Sequence, residues 1–111
     1  DQIAPKIFIT PHNKFFLSGD LATKPGADSD PNHVLNVNLS AKTLYNFTIR
    51  APFKETLDLC GGGGVQALAC SDHSEKVVTT DLNPRATKYA IFNARLNGLN
   101  NIECLENNER T

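Results

Sequence analysis

An α/β fold with a parallel sheet is the architecture that the second half of this chain predicts. Three features support it: β-branched and apolar runs alternate with helix-like stretches, four consecutive glycines follow the first of these runs, and capping residues border the longest helix-like stretch. When strands and helices alternate in this way, the helices act as crossovers and the strands run parallel. We expect the sheet to be incomplete, with three strands.

Residues 1–50 predict a short β-rich N-terminal segment that precedes the sheet. The runs KIFIT and KFFLS flank the turn-forming PHN at 11–13, which is typical of two short strands around a turn. Residues 19–32 are rich in Gly, Pro, Asp and Ser and predict a loop. We therefore divide the chain into two segments, 1–50 and 51–111.

A short helix is predicted between this loop and the sheet. Ser40 is a suitable N-cap for a helix that runs through Leu44 and Phe47. Leu39 and Leu44 would then occupy the hydrophobic-staple positions on either side of the cap. The proline-containing residues 50–53 predict a connector.

Local patterns predict each element of the second half. These elements are a strand at 55–59, a helix from Val65 to about Ser71, a strand at 76–81, a helix at 83–98 and a strand at 101–106. The helix at 83–98 has the strongest signals, because Asn83 is a good N-cap, Pro84 suits the first helical position and Gly98 is typical of a helix end. Its predicted apolar stripe consists of Ala86, Tyr89, Ala90 and Leu96.

The composition is that of an ordinary globular domain: 40% of the 111 residues are hydrophobic, 21% are charged, and the formal net charge is -1. Such a charge gives no overall basic field that would attract nucleic acid or an anionic membrane, although a local patch can still hold a nucleic acid substrate. The sequence has no apolar run of membrane-spanning length and no signal-like opening. We expect a cytoplasmic protein because the three cysteines favour reduced thiols.

The cysteines and histidines predict neither disulfides nor a metal centre. Cys60, Cys70 and Cys104 are odd in number, have no C-x-x-C spacing and lie in apolar runs, which favours buried reduced thiols. The three histidines are scattered, without cysteines or carboxylates at ligand spacing. We expect no bound metal.

The stretch DLCGGGGVQALAC at 58–70 predicts a ligand site between the first strand and the first helix of the sheet. Ligands of parallel sheets bind at the carboxyl ends of the strands, and glycines there let a nucleoside approach the backbone. Asp81, at the end of the next strand, can accept hydrogen bonds from both hydroxyls of a ribose. Taken singly, the glycines are explained by a hinge and Asp81 by a solvated carboxylate; together they favour a nucleoside cofactor.

Two cofactors fit this pattern. Gly62, Gly64 and Ala67 satisfy the dinucleotide motif G-x-G-x-x-A, with Asp81 at a suitable distance, which favours NAD. Asp58 favours S-adenosylmethionine, because a carboxylate before the turn can reach an ammonium group that NAD lacks. A strand covered on both faces would otherwise carry an apolar residue at this position. The alternative for Asp58 is a carboxylate that only binds loop amides.

The sequence LDLCGGGGVQALAC, followed by KVVTTDLNPRATKYAIFNARLNGLNNIECLENN, resembles the opening of the class I S-adenosylmethionine-dependent methyltransferases. It is most similar to the small-domain members, which modify ribosomal RNA or protein glutamine. Their L-D-L-G-x-G-x-G turn, D-x-N-P-x-A strand end and L-N-G helix end correspond to residues 57–64, 81–86 and 96–98. Residues 33–50 resemble more loosely the segment before the turn in some of these enzymes.

The resemblance implies a Rossmann-like fold, S-adenosylmethionine as the cofactor, and methyl transfer to a nitrogen nucleophile on RNA, protein or another substrate. The cofactor-binding positions that it implies are Asp58, Cys60, Gly62, Gly64, Asp81, Leu82 and Asn108. In this assignment Asp81 holds the ribose, Leu82 packs on the adenine and Asn108 lies at the adenine edge.

Two of these positions depart from the family pattern. Cys60 stands where the first glycine is expected, so its side chain would crowd the methionine end of the cofactor or require a negative φ. Gly61 and Gly63 are additional glycines that would compensate. Asn108 stands where an acid commonly follows the third strand, and its amide oxygen would accept a hydrogen bond without a charge.

The family's Asn-Pro-Pro-aromatic motif, which holds the reacting nitrogen, does not occur in this sequence. We therefore expect this chain to be part of a longer enzyme with its catalytic residues beyond Thr111. Two other functions stay open: an NAD-dependent oxidoreductase that uses the same turn, and a non-catalytic Rossmann-like domain. Arg85, Lys88 and Arg95 lie on one helix, and we interpret them as a solvated face rather than an RNA surface.

Overall fold

The computed structural model describes residues 7–20 and 32–106. Its elements in chain order are strands β1 (Ile7–His12) and β2 (Phe15–Asp20), helix α1 (Leu39–Phe47), strand β3 (Phe53–Leu59), helix α2 (Val65–Ser71), strand β4 (Ser74–Asp81), helix α3 (Pro84–Leu96) and strand β5 (Ile102–Glu106). Each element predicted for the second half is present, with its ends shifted by two residues at most. None of the helices in the described ranges is long and apolar enough to cross a membrane.

The main sheet contains three parallel strands in the order β3-β4-β5. Asp58 pairs in register with Thr79, and Thr79 pairs with Cys104. Helix α2 packs on β3 and β4, while α3 packs on β4, β5 and the hairpin strand β2. The carboxyl ends of the strands therefore lie along one edge of the sheet, which confirms the predicted Rossmann-like arrangement.

Strands β1 and β2 form an antiparallel hairpin, as predicted, but its turn lies later than expected. Pro11 and His12 extend β1, and the turn consists of Asn13 and Lys14. Asn13 has φ at 53°, a conformation that two-residue hairpin turns require and that asparagine tolerates. The predicted loop at 19–32 overlaps the end of β2, and residues 21–31 lie outside the described part of the chain.

Helix α1 begins earlier than predicted, and Ser40 is not its N-cap. The cap is Asn38, whose side-chain Oδ1 accepts a hydrogen bond from Ala41 N at 2.9 Å. Leu39 and Leu44 are 81% and 57% exposed, so they do not form the predicted staple.

The hydrophobic core joins the hairpin to the sheet. Phe15 and Leu17 of β2 form a buried cluster with Leu68 of α2, and Ile102 packs against it. Ile102 also packs against the second cluster, in which Val77 of β4 is fully buried. Residues on both sides of residue 50 thus share one core, and the division of the chain into two domains there stays a prediction.

Candidate functional site

The glycine turn (residues 60–64) joins β3 to α2 in a backbone conformation that side chains disfavour. Cys60, Gly62 and Gly64 have φ at 59°, 56° and 89°. Gly61 N donates to Thr80 O at 2.8 Å, and Gly64 N donates to Gly61 O at 2.9 Å. The turn is therefore tied to β4 and closed on itself. A Cβ at Gly62 would meet nothing within 4 Å, so the backbone there is open to a ligand.

Cys60 adopts the left-handed conformation. The sequence predicts that its side chain either crowds the methionine end of the cofactor or requires a negative φ; since φ is positive, the crowding stays as the prediction. The sequence also predicts a buried thiol, whereas Cys60 is exposed; Cys70 is buried and Cys104 is half-buried. The backbone at Cys60 thus follows the path that a glycine would take, and the exposed residue lines the cavity described below.

Asp81 lies at the glycine turn, as predicted. Its Oδ2 accepts a hydrogen bond from Gly62 N at 2.9 Å, and its Oδ1 accepts one from Asn83 N at 2.9 Å. The first bond fixes the carboxylate against the turn, and the second fixes it at the start of α3. Each carboxylate oxygen retains a further acceptor site, because an ionised carboxylate offers about four in all.

Asp58 lies beneath the turn. Its Oδ2 accepts a hydrogen bond from Thr79 Oγ1 at 3.2 Å, and a Cβ on Gly61 would overlap both of these side chains. Burial raises the pKa of the Asp58 carboxyl, and the nearby charge of Asp81 raises it further; hydrogen bonds from Thr79 and the Ala67 N–H act in the opposite direction. Asp58 therefore shapes the turn and explains why residue 61 is a glycine.

A cavity of about 360 Å³ lies over the glycine turn. The sheet, α2, α3 and the glycine turn contribute Cys60, Gly61, Gly62, Gly63, Val65, Asp81, Asn83, Ala86 and Asn93 to its lining. The rest of the lining consists of Leu17, Ser18, Ala41 and residues 33–38. We call residues 32–38 the strap. A cavity of this size is within the range of small-molecule sites, and its lining includes the polar side chains of Asp81, Asn83 and Asn93.

Hydrogen bonds hold the strap against the hairpin and α3. Asp20 Oδ2 accepts from Val34 N at 3.0 Å, and Asp20 N donates to Val34 O at 2.9 Å. The carbonyl oxygen of Asn32 accepts from Asn83 Nδ2 at 3.2 Å and from Arg85 Nε at 3.3 Å. The strap is therefore a fixed wall of the cavity.

Asp20 is the centre of this attachment. Its Oδ1 accepts hydrogen bonds from Tyr89 Oη at 2.6 Å and from the Arg85 guanidinium. Burial acts to raise the pKa of Asp20, but these bonds and the Val34 N–H outweigh burial, and the pKa is lowered. Burial and the bond to Asp20 raise the pKa of Tyr89 to about 12. Arg85 thus binds Asp20 and the strap while its side chain stays 50% exposed, so it lies on a solvated face as predicted and also holds the strap.

Asn93 connects the hairpin to the glycine turn. Its side chain is fully buried in α3. Its Oδ1 accepts from Ser18 N at 2.7 Å and Ser18 Oγ at 2.6 Å, and its Nδ2 donates to Gly63 O at 2.7 Å and Ser18 O at 3.2 Å. One turn later, Asn97 accepts from Phe16 N at 2.8 Å and donates to Phe16 O at 2.7 Å.

The other predicted cofactor-binding residues lie in different environments. Gly64 is buried, and a Cβ there would approach the Ala90 Cβ to 3.3 Å, so this glycine serves close packing on α3. Leu82 is 58% exposed beside Asp81 but is outside the cavity lining. Asn108 lies outside the described residues. Within the described ranges no group of three or more His, Cys, Asp or Glu side chains is arranged to hold a metal ion.

Sequence reasoning missed Asn93 and did not assign the strap to the cavity. A signal for Asn93 exists, because an asparagine at position 93 interrupts the stripe of Ala86, Ala90 and Ala94 on the buried face of α3. The signal for the strap is weaker: His33 and three asparagines alternate loosely with apolar residues before α1.

The sequence matches no protein-family model and no curated protein. Solved structures do resemble the chain. Trm5b from Pyrococcus abyssi is 19% identical with a TM-score of 0.67, over 96% of this chain and 30% of that one. An S-adenosylmethionine-dependent methyltransferase from Agrobacterium tumefaciens is 20% identical with a TM-score of 0.65, over 95% of this chain and 33% of that one.

A third similar structure is Methanocaldococcus jannaschii Trm5 in complex with adenosine, which is 17% identical with a TM-score of 0.63, over 95% of this chain and 30% of that one. This chain therefore spans about a third of the length of each of these proteins. At these identities the likeness establishes the fold, which is that of the class I S-adenosylmethionine-dependent methyltransferases.

Proposed function

We propose that this chain is the cofactor-binding part of an S-adenosylmethionine-dependent methyltransferase and that it binds the adenosine portion of the cofactor over the glycine turn. The observation that carries the proposal is the Asp81 carboxylate, fixed by Gly62 N and Asn83 N at the cavity wall. Because one acceptor site remains on each oxygen, the two hydroxyls of a ribose can both be bound there.

The residues around Asp81 also fit an adenosine-bearing cofactor. The Gly62 backbone is open where a Cβ would otherwise project, so a ligand can lie against it. Leu82 follows Asp81 and is 58% exposed, which leaves its side chain available to pack on an adenine ring. Asn108 is the proposed residue at the adenine edge.

The methionine end of the cofactor would lie toward Cys60 and the turn above Asp58. Asp58 does not line the cavity, so its proposed effect on the ligand ammonium acts through the shape of the turn or across a water molecule. S-adenosylmethionine, when bound, supplies an electrophilic methyl group on a sulfonium. The described residues hold the cofactor, and the catalytic residues are unassigned.

The proposed methyl acceptor is a nitrogen nucleophile on RNA or protein. Support comes from the small-domain sequence pattern at residues 57–64 and 81–86, whose family members act on ribosomal RNA or glutamine. The nearly neutral net charge does not favour RNA over protein.

A second candidate is an NAD-dependent oxidoreductase. It is favoured by Ala67, which is fully buried at the third position of the dinucleotide motif, where that motif requires close helix–strand packing. A non-catalytic domain with this fold is the third candidate, and the exposed, left-handed Cys60 is the feature that favours it.

Calorimetric titration with S-adenosylhomocysteine tests the proposal, with NADH titrated in parallel. We expect S-adenosylhomocysteine alone to bind, and we expect Asp81→Ala to weaken this binding by about tenfold or more, because charge-assisted hydrogen bonds to the ligand are lost. Asp72→Asn is the matched control, since Asp72 is 44% exposed and pairs with Lys14. Heat from NADH alone, or equal affinity in the wild type and Asp81→Ala, would contradict the proposal.

A further inference from the structure

Asn93 is a fully buried polar side chain at the centre of an otherwise small and apolar helix face. Burying an amide is unfavourable unless hydrogen bonds replace its contacts with water. All four hydrogen-bonding positions of the Asn93 amide are used: Oδ1 accepts twice from Ser18, and Nδ2 donates to Ser18 O and to Gly63 O. The side chain is therefore held in one orientation.

The bond to Gly63 O sets the geometry of the glycine turn. In a trans peptide the C=O and the following N–H point in opposite directions. When Asn93 Nδ2 holds Gly63 O at 2.7 Å, the Gly64 N–H is directed away from α3, and it donates to Gly61 O at 2.9 Å. The same turn presents Gly62 N to the Asp81 carboxylate. Gly61 O and Gly62 N belong to the same peptide group, which accepts from Gly64 N and donates to Asp81. We therefore expect a change at Asn93 to shift the peptide that contacts Asp81.

The other end of the Asn93 amide binds the hairpin. Ser18, Gly63 and Asn93 all line the cavity. Asn93 consequently links β2 to the glycine turn by direct hydrogen bonds.

We propose that Asn93 is a positioning residue for the ligand site: it holds the glycine turn in its ligand-binding conformation and sets the distance between the turn and β2. This inference rests on the proposed function for the identity of the ligand. Asn93 itself needs no contact with the cofactor, because it acts through its bond to Gly63 O and through the bond from Gly64 N to Gly61 O.

Asn97 provides a matched control within the same helix. It binds the backbone of Phe16 in β2 in the way that Asn93 binds Ser18, but its remaining bond is to Asn93 O and not to the turn. Asn97 is therefore expected to stabilise the docking of the hairpin without positioning the ligand site.

The experiment compares Asn93→Asp with Asn97→Asp by S-adenosylhomocysteine affinity, corrected for the folded fraction, and by hydrogen exchange of the Gly64 amide. Aspartate at position 93 keeps the acceptor for Ser18 N and Oγ, and it replaces the amide that donates to Gly63 O and Ser18 O by a second acceptor. We expect Asn93→Asp to lower the affinity about tenfold and to speed Gly64 exchange by a similar factor, since both of these buried hydrogen bonds are lost. We expect Asn97→Asp to change neither by more than about twofold.

Equal losses of affinity in the two variants, or unchanged Gly64 exchange in Asn93→Asp, would overturn the inference. If Asn93→Asp does not fold, Ser18→Ala replaces it; this variant removes one of the bonds that orient Asn93, and it is expected to lower the affinity and to speed Gly64 exchange more than Asn97→Asp does. A wild-type chain that fails to bind S-adenosylhomocysteine defeats the proposed function instead. The hydrogen-exchange rates of the Gly64 amide in the ligand-free wild type, Asn93→Asp and Asn97→Asp then still decide whether Asn93 holds the turn.

Discussion

Cys60 has a side chain at a backbone position where φ is 59°. For residues other than glycine this conformation is unfavourable by roughly 1–2 kcal/mol, because Cβ approaches the backbone oxygen. Replacing Cys60 with glycine removes this strain but increases the entropy of the unfolded chain, which offsets about 0.4–1 kcal/mol. We expect Cys60→Gly to raise the free energy of unfolding by about 0.5–1 kcal/mol, measured by urea denaturation.

Cys60→Ala separates this backbone effect from the loss of the thiol. Alanine retains a Cβ and therefore the strain, so this variant is expected to lie within about 0.5 kcal/mol of the wild type. A stabilisation of Cys60→Ala equal to that of Cys60→Gly would show that the thiol, and not the backbone, is the destabilising feature.

Single residues of the site differ in how far the sequence could predict them. Gly62 and Asp81 were predictable because a glycine turn and a strand-end acid form a short, local motif with a defined spacing. The conformation of Cys60 was not, because the sequence indicates only that cysteine disfavours a positive φ, and the surrounding turn imposes it. Asn93 was not predicted as functional because its partners, Ser18 and Gly63, are distant in sequence.

At the scale of elements, the attachment of the hairpin and strap to α3 predicts how the free energy of unfolding depends on pH. Asp20 has a lowered pKa in the folded chain, so its contribution to stability is present above its unfolded value of 3.8 and is lost as the pH falls through the folded pKa. Tyr89 has a pKa raised from 10.0 to about 12, so its contribution is present below pH 10 and is lost as the pH rises toward 12.

Tyr89→Phe removes the hydroxyl that donates a hydrogen bond to the Asp20 carboxylate. We expect it to lower the free energy of unfolding at pH 7 by about 1–2 kcal/mol, because a hydrogen bond to a carboxylate is lost. The difference from the wild type should shrink below pH 3.8 and above pH 10. Urea denaturation across this pH range measures it, and Tyr45→Phe is the control, since the Tyr45 hydroxyl bonds to no described residue. A difference that is constant with pH would contradict the assignment of this bond.

The elements themselves were predicted where their signals are local. Asn83, Pro84 and Gly98 mark the ends of α3, and the structure places them there. Helix α1 shows the limit of such signals, because Asn38 and Ser40 are both good caps and only the observed bond from Ala41 N to Asn38 distinguishes them. The docking of β2 on α3 depends on asparagine side chains that bind backbone groups about 75 to 81 residues away, and helix periodicity carries no information about it.

At the scale of the whole molecule, the two faces of the main sheet differ in how they are covered. Val77 and Thr79 face α2 and are buried. Leu57, Leu59 and Leu105 occupy the opposite face and are 63%, 63% and 44% exposed. No described element covers this face, and the pairing of Leu57 with Val78 and of Thr80 with Leu105 makes it continuous across the three strands. Exposed apolar surface of this kind binds other apolar surface.

The double variant Leu57→Thr with Leu105→Thr tests this exposure. Threonine preserves strand propensity while reducing apolar area, so we expect weaker binding of a hydrophobic dye and less concentration-dependent association in light scattering. Because Leu57 and Leu105 are 63% and 44% exposed, the free energy of unfolding should change by less than about 1 kcal/mol. Ligand affinity should be unchanged, since neither leucine lines the cavity.

Val77→Thr is the matched control on the covered face, where the side chain is fully buried. Burying its hydroxyl without a partner is expected to lower the free energy of unfolding by about 1–3 kcal/mol. If the double leucine variant destabilises the chain as much as Val77→Thr does, the leucine face is covered in solution by this chain or by another copy. The contrast between the two variants therefore measures the difference in coverage directly, and it does so independently of any ligand bound over the glycine turn.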